Sequence, residues 1–290
     1  MLRTASWSPD LGDLAIADGA VWTSSGLFRI DPASNEHTGP NLRVPSGDVV
    51  GFGRELWASD FDGDVVRRFD ARTHKVLAVV KLPPGSAPEA LAISAGSLWV
   101  ACHHSGMVAR VDLRTNRVTA EVSVGPPESN GPQGIAAGMH SIWVDVPADA
   151  EVVRIDEASN QVRSRIAFPN SMVPCGGIAV GRTAVWVSEC LQGTAMARID
   201  PGTNRVVSVF DTGGRVVQPT AVGDSVWFVT GGDPDQPPAA ANLVRLRADD
   251  TAVTRVALPR GFVSGGVVLA FGSVWISDFA QPRVLQLEVR

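Results

Sequence analysis

Seven tryptophans, Trp22, Trp57, Trp99, Trp143, Trp186, Trp227 and Trp275, recur along the chain at intervals of 35 to 48 residues. A period in the forties that holds several short strands per unit is what the blades of a β-propeller require, because each small sheet buries its faces only against its neighbours. The spacing therefore predicts an all-β fold, a seven-bladed β-propeller with four-stranded antiparallel blades. It occupies residues 1–290 as one domain, since a repeat running end to end leaves no linker at which to divide it.

The unit is clearest around Trp143: Gly134-Ile135-Ala136-Ala137, Ile142-Trp143-Val144, Val152-Val153-Arg154-Ile155-Asp156 and Gln161-Val162-Arg163-Ser164-Arg165-Ile166. Each run is rich in β-branched residues and bounded by Gly, Asn, Asp or Pro, and none keeps helical spacing, so almost no helix is expected. The third strand repeats an Arg-x-Asp signature at Arg29-Ile30-Asp31, Arg68-Phe69-Asp70, Arg110-Val111-Asp112, Arg154-Ile155-Asp156 and Arg198-Ile199-Asp200. Five copies are not five active sites. Residues two apart share one face of a strand, and the pair reads as an ion pair or turn contact within each blade. The seventh unit ends at Arg290 without a fourth strand, while Leu2 to Trp7 precede the first unit's own opening strand. That N-terminal strand is expected to pair with the last blade, closing the ring and removing two exposed sheet edges.

A formal net charge of −5 and the absence of any basic run disfavour a nucleic-acid partner. No segment approaches the roughly 20 apolar residues of a membrane helix, and the start does not read as a signal peptide. A soluble monomer is expected, cytoplasmic if the chain is full length and extracytoplasmic if a leader was removed. Of the three cysteines, Cys175 and Cys190 are placed to meet: if Val180 and Val185 face each other across a hairpin turn, antiparallel pairing puts the two thiols opposite each other. A disulfide and two reduced thiols both fit that placement.

The units Gly-Ser-Leu-Trp-Val at 96–100, Val108 to Val118 and Arg198 to Val206 resemble the bacterial YVTN-type propeller repeats over nearly the whole chain. The blade-opening phrase Gly131-Pro132-Gln133-Gly134-Ile135 is similar to that of the virginiamycin B lyase family. The resemblance implies a seven-bladed ring with its site at the mouth of the central channel. It also implies a histidine base directly after a blade-opening proline, and glutamates holding a magnesium ion. This chain departs from that pattern, with Glu89 after Pro88, Gln133 after Pro132 and Cys175 after Pro174. The implied location carries over and the base does not.

Position three after each tryptophan should lie where the second strand reaches the same face; the residues there are Ser25, Asp60, Cys102, Val146, Glu189, Thr230 and Asp278. Blades two and three are chemically richest: Asp60 precedes Asp62 and Asp64, Glu89 should oppose Cys102, and His103-His104 follow. Carboxylate and imidazole suit a divalent ion such as Mg²⁺, with Asp60 and Glu89 as metal ligands and His103 or His104 as general base. Glu89, Cys102, Gln133, Glu189 and Asp278 are the expected substrate-binding positions. The same residues also fit a solvated loop with hairpin aspartates. A Pro-rich insertion at 231–240 and a stiff loop at 125–132 belong to this face, as lid, partner epitope or tolerated surface insertion. Two function classes follow: a small-molecule site at the channel mouth with lyase-type proton abstraction, or a non-catalytic propeller that binds a protein partner.

Overall fold

In the computed structural model, seven four-stranded antiparallel sheets form a ring, each contributed by consecutive strands except the last. The structure describes residues 2–6, 12–24, 26–39, 47–127, 130–169, 171–190, 193–231, 241–248, 253–278, 281 and 283–289. Ser25, residues 128–129 and residues 232–240 of the Pro-rich insertion lie outside the described residues. Blades 1 to 6 span residues 14–37, 49–81, 88–123, 135–167, 174–211 and 220–257, and blade 7 spans 264–288. The first strands of neighbouring blades touch one another all the way round, so they line the central channel. Among the described residues the only helical turn is a 3₁₀ turn at Pro147–Asp149. No helix among them is long and apolar enough to cross a membrane.

The N-terminal strand Leu2–Ser6 pairs antiparallel with Arg283–Glu288, with Leu2 opposite Leu287, and supplies the fourth strand of blade 7. Chain closure is thus made by backbone hydrogen bonds between the two ends of the sequence, as the missing fourth strand required.

Each tryptophan explains its own recurrence. Trp22, Trp57, Trp99, Trp143, Trp186 and Trp275 are fully buried, and Trp57 packs against Leu91, Leu98 and Val111 of the following blade. The third-strand arginine lies over the indole of its own blade, with Arg110 Cζ 4.8 Å and Arg154 Cζ 4.7 Å from the ring centroids. From there it reaches the outer turn of the next blade. Arg68 donates to Leu113 O and Asn116 Oδ1, Arg110 to Glu157 O and Asn160 Oδ1, and Arg154 to Pro201 O and Asn204 Oδ1. In blade 7 Gln286 stands in the arginine's place opposite Trp275 and donates to Pro32 O of blade 1.

Of the two contacts expected for the signature, the aspartate makes the turn contact. Asp112 accepts from the Thr115 N–H and hydroxyl, and Asp156 does the same with Ser159. The asparagine that ends this turn is left-handed, with φ of 55° at Asn116, 59° at Asn160 and 53° at Asn204. Asparagine tolerates that conformation and also offers the side-chain oxygen that the preceding blade's arginine needs.

Candidate functional site

The loops that enter the innermost strands converge at one end of the channel around a cleft of about 280 Å³, lined by Asp13, Asp48, Glu89, Gln133, Cys175 and Gln218 among others. Three of these, Glu89, Gln133 and Cys175, are the residues that follow the blade-opening prolines. The other three were not found from the sequence. Asp13, Asp48 and Gln218 come from blades 1, 2 and 6, just before the first strand of each.

In four blades a short polar bond fixes the entering loop to its own blade. The Asp13 N–H donates to Ser24 Oγ at 2.8 Å, the Asp48 N–H to Ser59 Oγ at 2.9 Å, and the Gly266 N–H to Ser277 Oγ at 2.8 Å. In blade 4 Asp145 does this work, its Oδ1 accepting from the N–H groups of Gln133 at 3.2 Å and Gly134 at 2.6 Å. These anchors stand two residues after the tryptophan. Strand side chains alternate, so the position three after it points the other way.

Position three after the tryptophan is the last residue of the second strand in blades 2 to 7, as at Asp60, Cys102, Val146, Glu189, Thr230 and Asp278. All but Glu189 are buried there. Cys102 packs in the apolar layer between blades 2 and 3, and burial pushes its thiol up to about 11, so it behaves as a small core residue. Asp60 is ion-paired with Arg67 and accepts from the Gly63 N–H. Asp278 is held by Arg283 Nε at 2.6 Å and the Val263 N–H at 3.0 Å, and Glu189 accepts from the Ala195 N–H at 3.2 Å. None of these four lines the cleft that Glu89 lines.

The two histidines part company. His103 Nδ1 lies 3.1 Å from Glu89 Oε2 without being aligned for a hydrogen bond. His104 is exposed and lines a neighbouring cleft of about 490 Å³ with Pro84, Gly85, Ser105 and Pro127. The Phe61 ring stands edge-on to His104 at 5.2 Å and tilted to His103 at 6.1 Å.

The carboxyl groups at the mouth are displaced from their ordinary range, and burial is the first cause in each case. Burial raises Glu89 to about 7, helped by the charge of Asp13. Asp145 also rises to about 7 by burial, against its two backbone N–H donors and with a push from Glu89. Asp13 and Asp48 hydrogen-bond each other and are both raised by burial; the charge of Asp13 raises Asp48 further. Such a pair shares a proton, because two adjacent carboxylates do not both ionise. His103 is lowered by burial and by His104, so it stays neutral beside Glu89. The site is thus able to take up and release protons near neutral pH.

Cys175 and Cys190 form a disulfide, with Cα atoms 4.8 Å apart. Val180 does oppose Val185, but a bulge between Pro174 and Ile178 moves Pro174 opposite Glu189. The bond therefore clamps a bulged segment of the cleft wall to the second strand of blade 5.

Asp60 and Glu89, whose residue types suggested ligands for a divalent ion such as magnesium, are not brought together as a ligand pair. Asp60 is turned onto Arg67, and among the described residues no three His, Cys, Asp or Glu side chains converge as a metal-ligand set.

No family model matches the chain, and no curated protein sequence matches it. Among solved structures it is similar to virginiamycin B lyase from Staphylococcus aureus, with 18% identity, a TM-score of 0.79 and coverage of 100% of this chain and 99% of that one. A streptogramin B lyase structure matches at 19% identity and TM-score 0.77, covering 98% and 97% of the two chains. A chain of the mitotic checkpoint complex reaches the same TM-score at 12% identity, covering 99% and 91%. At these identities the likeness establishes the propeller fold.

Proposed function

We propose that this propeller binds a small molecule in the channel-mouth cleft and carries out lyase-type chemistry on it. The observation that carries this reading is Glu89: a half-buried carboxyl on the cleft wall, raised to about 7 and 3.1 Å from His103 Nδ1. A group with that affinity for protons is a competent base at neutral pH. In an elimination, ionised Glu89 takes a proton from a carbon next to an electron-withdrawing group. The freed electron pair forms the double bond, the leaving group departs with its own pair, and the proton shared by Asp13 and Asp48 passes to it. Neutral His103 stands beside Glu89 at 3.1 Å. The structural likeness to two streptogramin-type lyases supports the reaction class, and the disulfide supports an oxidising compartment.

A non-catalytic, protein-binding propeller is the second reading, favoured by the apolar side chains exposed on outermost strands, including Val76, Leu77 and Val79 of blade 2. A thermal-shift screen of small molecules, divalent metals included, separates the two, since a specific ligand stabilises the folded form by mass action. The enzyme reading expects a stabilising compound whose effect is lost in Glu89→Gln and whose turnover is lost in Glu89→Gln and Asp48→Asn. A screen without any Glu89-dependent shift overturns it.

A further inference from the structure

We propose that the ligand of the channel-mouth cleft is an organic cation, a molecule carrying a protonated amine; this rests on the small-molecule reading above and names its substrate class. Asp13, Asp48 and Glu89 line the cleft, and among the described residues no lysine or arginine does. The remaining polar lining, Gln133 and Gln218, presents amide oxygens that accept from N–H donors.

A second observation is independent of that cluster. Asp145 is fully buried and its Oδ2 has no hydrogen-bond partner, although Oδ1 has two. That unpaired oxygen is directed at Gly134, where a Cβ would stand 2.5 Å from it and 3.3 Å from Gly177 Cα. Gly134 and Gly177, the latter with φ +112°, form part of the cleft lining, so the oxygen sits behind a wall bare of side chains. A buried, half-satisfied carboxyl is costly, and a cation on the far side of that wall offsets its charge together with those of Asp13, Asp48 and Glu89.

The surroundings also accommodate a carbon skeleton. His103 stands between Glu89 and the rings of Phe61 and His104, and His104 opens onto the neighbouring cleft with Pro84 and Pro127. An arylalkylamine would thus place its ammonium among carboxyls and its ring on an aromatic surface.

Affinity must rise with pH. The ammonium stays charged to about pH 10, whereas the groups that face it, Asp13 and Asp48 from blades 1 and 2, Glu89 from blade 3 and Asp145 from blade 4, lose protons on binding. His103 and His104, the titratable bases beside them, add positive charge only at acid pH and act in the same direction.

Titration calorimetry on the full chain with phenethylamine and with its neutral isostere 2-phenylethanol tests this. The expected result is amine binding at least about tenfold tighter than alcohol binding at about pH 8, falling about tenfold towards pH 6 as protons compete. Asp145→Asn and Glu89→Gln should each remove most of the amine's advantage while circular dichroism shows an unchanged fold. Alcohol binding equal to amine binding, or no amine binding up to about 10 mM, overturns the inference. A neutral or anionic compound giving a Glu89-dependent thermal shift would leave the small-molecule reading standing and remove only the amine.

Discussion

Asp112 and Glu89 belong to the same blade, one on its outer turn and one at the channel mouth, and their carboxyls are displaced in opposite directions, Asp112 by hydrogen bonds and Glu89 by burial. Asp112 is held by the Thr115 hydroxyl and N–H, so its carboxyl lies below the usual range; Asp31, Asp70, Asp156 and Asp200 are lowered by the same kind of turn hydrogen bonds. Glu89 has lost water without gaining donors, and it lies well above that range. The repeat serves the fold only as far as the channel mouth. Outer turns, arginines and tryptophans recur because every blade must grip the next. At the mouth the blades differ, and unrelieved charge accumulates there.

Trp99→Ala empties a fully buried site between blades 3 and 4 and should cost about 4 kcal/mol in urea unfolding. A loss below about 1 kcal/mol would deny the tryptophans their role. Replacing Cys175 and Cys190 by serine opens a loop closed across 15 residues and should cost about 3 kcal/mol. It should also weaken any ligand of the cleft, which distinguishes this clamp from the repeated contacts. Arg110→Ala removes bonds to Ser97 Oγ, Glu157 O and Asn160 Oδ1 and the contact with Trp99, for about 2 kcal/mol and no change in ligand affinity.

The smallest effect has the opposite sign. Because Glu89 and Asp145 bind protons more tightly in the folded chain, folded molecules hold more protons than unfolded ones between about pH 4 and 7, so stability falls as pH rises through that window. The depressed outer aspartates act elsewhere: their contribution is complete above about pH 4 and disappears below it. Glu89→Gln should therefore flatten the decline from pH 5 to about 7.5 and leave the melting temperature at neutral pH unchanged or slightly higher, while abolishing function. A variant that melts lower at neutral pH would show Glu89 to be structural.

Most of the ring was legible in the sequence because its causes are periodic. Tryptophan spacing, the absent fourth strand of the last blade and the Val180–Val185 hairpin all leave a repeating trace. The bulge at 174–178 leaves none, since a local register slip changes no residue type. The candidate site was half legible. Glu89, Gln133 and Cys175 follow a recognisable blade-opening phrase, yet the seven positions after the tryptophans were read one residue too far to find the anchoring Ser24, Ser59, Asp145 and Ser277. Asp13 and Asp48 had a signal that alignment of the blades exposes. The residue before the inner-strand position that pairs with the residue after the tryptophan is Ala90, Gly134, Gly177 and Gly266 in blades 3, 4, 5 and 7, and aspartate in blades 1 and 2. What no sequence pattern carried is the mutual distance of groups that are up to 205 residues apart, from Asp13 to Gln218, and meet only when the ring closes.

Carbon-detected NMR titration of the Asp and Glu carboxyls measures the central claim directly, that a set of poised acids is gathered at the channel mouth. Glu89 and Asp145 should titrate near 7 while Asp112 and its counterparts titrate below the ordinary aspartate range. Midpoints near 4 for Glu89 and Asp145 alike would leave a well-built ring with an ordinary solvated rim, and would contradict the proposed chemistry.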